Sequence, residues 1–183
     1  MTLLPLSARC QGVAVPADIL IREAAESDAD AIAEIYGHHV LNGTASYDLD
    51  PPRADFHRDK IRWILGAGWP FLVAEVEGQV AGYAYVSQFR DRAAYRFTAE
   101  DSIYVHPHQM GRGIGRSLLG TLIKRSAQYG FRTIIAVIGG AEPASTALHV
   151  KCGFREVGRL KGVGWKKERW LDSVYMQLEL AAR

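Results

Sequence analysis

The sequence predicts an α/β fold of the α+β kind, in which a central mixed β-sheet lies between helices in three layers. Three observations predict it: two helix-period segments come first, a meander of strand-like runs follows, and the last third alternates as βαβαβ. The 183 residues, 48% of them hydrophobic, suffice for one core. We expect one domain over residues 19–183 behind a peripheral extension of residues 1–18.

The elements follow in order. Residues 19–22 form a short apolar run, read as a first strand. Ser27 stands where a helix N-cap belongs, with Asp28 and Asp30 near the positive end of the helix dipole. Ile32, Ile35, Tyr36, His39 and Val40 then recur at helical spacing, and Asn42-Gly43 ends that helix. Residues 44–50 read as extended, broken by Pro51-Pro52. A second helix is expected with Phe56, Ile61, Ile64 and Leu65 inward, closing at Gly66 and Gly68.

Residues 71–76 and 79–87 read as a hairpin about the tight turn Glu77-Gly78. An Arg-rich irregular stretch, 89–97, leads to a strand over 98–105. A glycine-rich loop, 111–115, opens a helix carrying Ile114, Leu118, Leu122 and Ile123 and ending at Gly130. A buried strand over 133–138, a short helix over 144–152 stopped by Gly153, and a final strand over 174–180 complete the chain.

Composition narrows the function classes. The net charge is +2, with acidic and basic residues interspersed, so no basic block suits a nucleic acid. Two cysteines, Cys10 and Cys152, make neither a disulfide framework nor a thiolate zinc site. The first twenty residues lack a basic start, and Pro5, Arg9, Gln11 and Pro16 interrupt any signal-peptide core. No run approaches the roughly 20 apolar residues that span a bilayer. A cytoplasmic protein without a membrane partner is expected. The pairs His38-His39 and His106/His108 lack acidic or thiolate partners at ligand spacing, so no metal is expected. Trp63, Trp69, Trp165 and Trp170 read as core or subunit-contact residues.

The sharpest local signal is the run from Ile103 to Arg116: a strand, a turn, then glycines at a helix start. Glycines let backbone approach a ligand, and exposed amides at a helix start suit a pyrophosphate. No Gly-Lys-Ser/Thr follows, so this is not a Walker loop. A dinucleotide fingerprint would sit at the first strand with an acidic residue about 20 positions later.

With these residues in view, the sequence resembles the Gcn5-related N-acetyltransferase superfamily, and within it the phosphinothricin and methionine sulfoximine acetyltransferase group. The resemblance spans about residues 19–180 and rests on pieces in family order. These are Asn42-Gly43-Thr44-Ala45-Ser46-Tyr47, Phe71 through Gly78, Gly82-Tyr83-Ala84-Tyr85, Thr98 through Val105 and the glycine loop. Ala136-Val137-Ile138, Ser145 through Phe154, Gly164-Trp165-Lys166 and Arg169-Trp170-Leu171-Asp172 complete the series.

The resemblance implies a sheet that splays beside the strand before the glycine loop, with the pantetheine arm of acetyl-CoA in the splay. It places backbone of Ile103, Tyr104 and Val105 along that arm. The pyrophosphate would lie on the amides of Gly111, Arg112, Gly113, Ile114, Gly115 and Arg116. Two positions depart from the pattern: Met110 replaces a Gln or Arg, and Glu142 replaces an Asn that contacts the arm. A carboxylate accepts hydrogen bonds but donates none unless protonated, so the Glu142 contact is expected to differ.

Acetyl transfer to an amine needs a base to remove a proton and a donor to polarise the thioester carbonyl. Glu100 matches the family's acidic residue in Thr-x-Glu-x-Ser and is the expected base; Asp101 points to the other face of a regular strand. The backbone N–H near Val105 is the expected carbonyl donor. His149 occupies the position of a proton donor to the thiolate, or else is a buried structural histidine. Arg90, Arg92 and Arg96 interleave with aromatics; guanidinium groups bind carboxylates or phosphinates in bidentate fashion. Arg92 with Tyr95 fits the family's Arg-x-x-Tyr, and Tyr47 is expected to line the same pocket.

The expected function is transfer of acetyl from acetyl-CoA to the amine of a small amino-acid-like substrate, in a homodimer shaped near Trp170. Two rival readings keep the fold: a protein N-terminus, lysine or polyamine as acceptor, or a non-catalytic acetyl-CoA-binding module.

Overall fold

The computed structural model describes residues 18–180; Cys10 and nearly all of the expected extension lie outside them. In chain order the strands are β1 (Leu20–Glu23), β2 (Phe71–Val76), β3 (Gln79–Gln88), β4 (Thr98–Val105), β5 (Thr133–Gly139), β6 (Arg155–Lys166) and β7 (Arg169–Glu179). The helices are α1 (Ala29–Asn42), α2 (Ala54–Gly66), α3 (Ile114–Tyr129) and α4 (Pro143–Lys151). The strands form one sheet in the order β1-β2-β3-β4-β5-β7-β6. Neighbours are antiparallel except β4 and β5, which are parallel. This is the three-layer mixed sheet that the pattern of elements predicts.

Local chemistry explains most boundaries. Glu77 and Gly78 both take left-handed φ, at 51° and 77°, the turn whose twist matches a two-residue hairpin. α3 runs between Gly113 and Gly130, both with positive φ. β2 is buried on both faces because a core lies on each side of it. One core packs α3 against the sheet through Leu118, Leu119 and Leu122; the other packs α1 and α2 through Ile32, Ile35, Ile61 and Ile64.

Several expectations are corrected. Ser27 does not cap α1: residues 26–28 form a 3-10 turn, and Asp28 holds the N-cap position without a side-chain cap bond to the helix. Its carboxylate accepts the Ala25 N–H at 2.8 Å and two Arg22 N–H groups at 2.7 and 2.8 Å. Phe56 is exposed, with the Lys60 ammonium 4.7 Å above its ring. The buried stripe of α2 is His57, Ile61 and Ile64, an i, i+4, i+7 series, which turns residue 56 off the core face. Residues 44–50 form bends rather than a strand.

The largest omission is β6. Its twelve residues carry Gly158, Gly162 and Gly164 among basic residues, and all but its C-terminal end lies at the surface. An edge strand with no buried face shows no alternation to read. Its partner β7 starts five residues before the expected 174.

The feature that positions the site is the short β4–β5 ladder. It pairs Thr98, Ala99, Glu100 and Asp101 with Thr133 through Ala136 and then stops, although both strands continue. On its other edge, β4 stays paired with β3 from Ala99 to Val105. At Gly82 this approach is close: an added Cβ would lie 2.9 Å from the Tyr104 carbonyl oxygen and 3.2 Å from Leu118. We predict that Gly82→Ala lowers stability by about 1–3 kcal/mol in urea denaturation, the usual cost of overpacking. An unchanged midpoint would contradict the close approach.

Candidate active site

Where β4 and β5 part, backbone groups are left facing a cleft. At the two ends of the β3–β4 ladder, His106 N–H donates to the Ala81 carbonyl and Phe89 N–H to the Thr98 carbonyl. Bonded pairs in an antiparallel ladder recur every second residue. Glu100, Ser102 and Tyr104 therefore spend their backbone groups on β3, while Asp101, Ile103 and Val105 turn theirs toward β5. β5 meets Asp101 but has diverged by Ile103. Ile103 and Val105 thus face the cleft by backbone, as expected. Tyr104 does not: its backbone belongs to the ladder, and its ring sits 5.0 Å from Tyr36 and 5.4 Å from Tyr83.

The cleft has a volume of about 740 Å³. Its walls come from β4, the β5 end, the glycine loop, α4 and residues 38–45. His39, read from the sequence only as part of the first helix's stripe, reaches in from α1 with its Nε2 2.9 Å from the Val105 carbonyl oxygen. A carbonyl only accepts, so Nε2–H donates. This occupies the Val105 carbonyl and leaves the Val105 amide as the donor on that edge. Burial pulls the His39 imidazole below its ordinary pKa, which favours the neutral ring.

At the cleft's outer end, Gly111 and Gly113 take φ of 78° and 85°, a conformation that side chains disfavour. They bend the chain so that the first-turn amides of α3, from Ile114 to Arg116, point outward without intrahelical acceptors. Gly111, Gly113, Ile114, Gly115 and Arg116 line the cleft as expected. The Arg112 side chain is drawn off by Gln109 and Asp18, each at 2.7 Å. An added Cβ at Gly115 would stand 3.2 Å from Leu148, so a small residue lets α3 approach α4. Residues that could cradle a pyrophosphate and an amide-bearing arm are thus in place.

At the apex, Glu100 pairs with Ile135 and Asp101 with Ala136, and their side chains take opposite faces. Asp101 joins Ala99, Ile103 and Val105 on the α3–α4 side; Glu100 joins Ser102 and Tyr104 on the α1–α2 side. Glu100 stands behind the apex and is not part of the cleft wall. Burial raises its pKa above the ordinary carboxylate range, Arg90 opposes that shift, and Asp101 adds to it. The Arg90 guanidinium lies 3.5 Å from the Glu100 carboxylate and 4.0 Å above the Phe89 ring.

His149 lies on the opposite side. It and Asp101 are 2% and 1% exposed, with Nε2 3.0 Å from Oδ2. Its Nδ1 lies 2.7 Å from the Ser145 carbonyl oxygen. Both neighbours are acceptors, so both ring nitrogens donate when Asp101 is ionised. Burial pulls the imidazole pKa down, but the Asp101 charge and the two hydrogen bonds outweigh it, and the net shift is upward. Breaking a buried pair of this kind costs about 3–5 kcal/mol, because one charge is left without a partner.

The expected acceptor residues divide. The 3-10 turn Ala93–Tyr95 carries Arg92 and Tyr95 to the surface beside Phe89, with Tyr95 N–H bonded to the Arg92 carbonyl at 2.9 Å. The Arg92 guanidinium has no ion pair among the described residues. Arg96 instead folds over Phe97 at 4.5 Å. Tyr47 is a strap rather than a free pocket wall: its hydroxyl donates to the Asp172 carbonyl at 2.8 Å and lies 3.0 Å from Ser173 Oγ. Gly140 N–H donates to that same oxygen at 3.3 Å. Lys166, 5% exposed, anchors the same loop by donating to the Ser46 carbonyl at 2.8 Å. Sequence spacing carried no signal for the contacts that Lys166, His39 and the Asp101–His149 pair make, since the partners are remote in the chain.

Glu142 has a different occupation from the expected one. Its carboxylate accepts the Ser145 N–H at 2.8 Å and caps α4. We predict that Glu142→Ala lowers stability by about 1 kcal/mol in urea denaturation while Glu142→Asn retains most of it. Equal losses would remove the capping role.

Comparison with known proteins agrees with this geometry. Residues 32–154 match the profile of the Acetyltransferase (GNAT) family. The chain is 47% identical over 163 residues to a phosphinothricin N-acetyltransferase of Alcaligenes faecalis, covering 88% of this chain and 83% of the relative. It is 38% identical to an L-methionine sulfoximine/L-methionine sulfone acetyltransferase of Salmonella typhimurium, over 87% and 94% of the two chains. Among solved structures, a phosphinothricin acetyltransferase of Sinorhizobium meliloti in complex with acetyl-CoA superposes with a TM-score of 0.87 at 47% identity, covering 90% and 89%. The splayed sheet, the glycine loop and these likenesses together establish that the chain belongs to the GNAT acetyltransferase family and is an acetyl-CoA-dependent N-acetyltransferase of the phosphinothricin and methionine sulfoximine group.

Proposed function

We propose that the chain acetylates the α-amine of a small anionic amino acid analogue: phosphinothricin, methionine sulfoximine or methionine sulfone. The observation that carries this reading is the apex of the splay. There, donor-facing backbone on one side of the sheet meets a half-buried carboxylate on the other, with a guanidinium 3.5 Å from it. The named activities of the relatives support the same acceptor class.

Acetyl-CoA supplies an activated acyl carbon: the neutral amine adds to it, the C–S bond breaks, and the CoA thiolate leaves and takes up the second amine proton through solvent. The chain's own residues do the rest. Loop amides from Gly111 to Arg116 hold the pyrophosphate end, and the free edges of Ile103 and Val105 hold the arm. The Val105 N–H, left without a β5 partner where the strands part, is the donor for the negative charge that develops on the thioester oxygen. The acceptor enters from the α1–α2 face, and Glu100 takes a proton from its ammonium group directly or through one water. A carboxylate whose pKa is raised by burial is a stronger base than a surface one. Arg92, unpaired at the surface beside Tyr95, is placed for the acceptor's anionic group, with Arg90 nearer the base. Residues 44–47, strapped through Tyr47 and Lys166, wall the acceptor side and favour a compact substrate over a peptide.

No helix among the described residues is long and apolar enough to cross a membrane, and we read the protein as cytoplasmic. For assembly we propose a homodimer on the β6–β7 hairpin. Trp165 and Trp170 are 56% and 66% exposed there, with ring centroids 5.2 Å apart, beside exposed Leu160 and Val163.

The direct test is release of free CoA across an amine panel containing the three analogues, lysine, a polyamine and an N-terminal peptide. Fastest turnover on a peptide or polyamine would overturn the acceptor assignment, and acetyl-CoA binding without turnover on any amine would favour the non-catalytic reading. Glu100→Gln is expected to lower kcat by about 10²–10⁴-fold with acetyl-CoA affinity kept. In the native protein activity should rise with pH as Glu100 loses its proton, the acid limb lying above the ordinary carboxylate range. Full activity in the variant would remove Glu100 from the mechanism. Arg92→Ala should raise the acceptor KM more than it lowers kcat. Trp170→Glu should shift the sedimentation coefficient from dimer to monomer; a monomeric native protein would refute the assembly.

A further inference from the structure

α4 is docked in an unusual way. It supplies one wall of the cofactor cleft through Ala144, Ser145, Leu148 and its neighbours. Of its nine residues only His149 is buried, while Leu148 beside it packs partly buried against the α3 core. That histidine, His149, reaches Asp101, the last β4 residue paired with β5 before the strands part. The contact therefore spans the mouth of the splay at its narrowest point.

Both side chains are almost fully buried, and both residues border the cleft. Asp101 Oδ1 is buried and accepts no hydrogen bond among the described residues. Its charge is met through His149 alone. His149 in turn has its second ring nitrogen on the Ser145 carbonyl, inside its own helix. Both N–H vectors are thus committed, one to the helix and one to the sheet. An imidazole so placed has no proton directed at a thiolate in the cleft.

We propose that Asp101 and His149 are a positioning pair: a buried strut that sets the distance between α4 and β4, and hence the width of the slot that grips the arm of acetyl-CoA. An apolar contact would allow the helix to slide or rotate over the sheet. A hydrogen-bonded ion pair fixes one direction and one length, which is the property a slot of defined width needs. The expected role of His149 as proton donor gives way, on this reading, to a role in cofactor grip.

The two roles separate experimentally. Asp101→Asn preserves volume and removes the charge; His149→Gln keeps a donor in the histidine's place. As a strut, each variant weakens acetyl-CoA binding by about tenfold to a hundredfold in calorimetry and raises its KM, while kcat at saturation, the acceptor KM and the alkaline limb of the kcat profile stay near native. The double variant is then little worse than either single one, because each removes the ion pair between the same two residues. As a proton donor, His149→Gln instead lowers kcat, loses the alkaline limb and leaves acetyl-CoA affinity native, and this outcome overturns the proposal. Amide hydrogen exchange of the ligand-free protein gives a second reading. Faster exchange across residues 143–151 in Asp101→Asn, with β2 and β3 unchanged, supports the strut; native exchange in α4 overturns it. Should His149→Gln fail to fold, Asp101→Asn alone decides by both measurements.

Discussion

The architecture depends on a single unfinished ladder. Parallel pairing between β4 and β5 lasts for four residues and then ceases, although each strand keeps a partner on its far edge. Backbone donors and acceptors buried without partners are costly, so an opened ladder persists only where something else meets those groups. Here His39 takes one carbonyl from within the protein. The remaining edge groups of Ile103 and Val105 face the cleft.

Two helices turn that opening into a site by different means. α3 presents its N-terminus to the outer end of the cleft because two glycines take left-handed φ just before it. α4 closes the side wall and is held by its cap at Glu142 and by the buried contact from His149 to Asp101. Alternation along β4 then separates the chemistry. Odd positions face the α3–α4 side, even positions the α1–α2 side, and the adjacent carboxylates of Glu100 and Asp101 acquire different environments from that alone. The first stands half-buried beside Arg90; the second is sealed against His149.

The loop after α1 is held by long-range polar ties. Residues 44–50 have no regular structure, yet Ser46 and Tyr47 carry bonds to Tyr36, Lys166, Asp172 and Ser173, and Gly139 leaves room for the loop to press against β5. An added Cβ at Gly139 would stand 2.9 Å from the Thr44 carbonyl oxygen. The loop is therefore fixed by its neighbours, which is why a local pattern read it as extended.

By itself, the sequence determined what is local. The hairpin turn at Glu77-Gly78, strands β2 and β4, the glycine loop and the helix it opens are written in residue order, because turn chemistry and alternation act over a few positions. Glu100 as candidate base came from the Thr-x-Glu-x-Ser resemblance, while alternation placed it on the face opposite Asp101. Tertiary structure decided the rest. β6 has no buried face and so no periodicity; Phe56 and His57 exchange roles by one helical step; Glu142 serves its own helix. The pairing of Asp101 with His149 joins residues 48 apart, and no spacing rule reaches that far. Contacts between distant segments depend on where the sheet opens, and that is settled only when all its strands are in place.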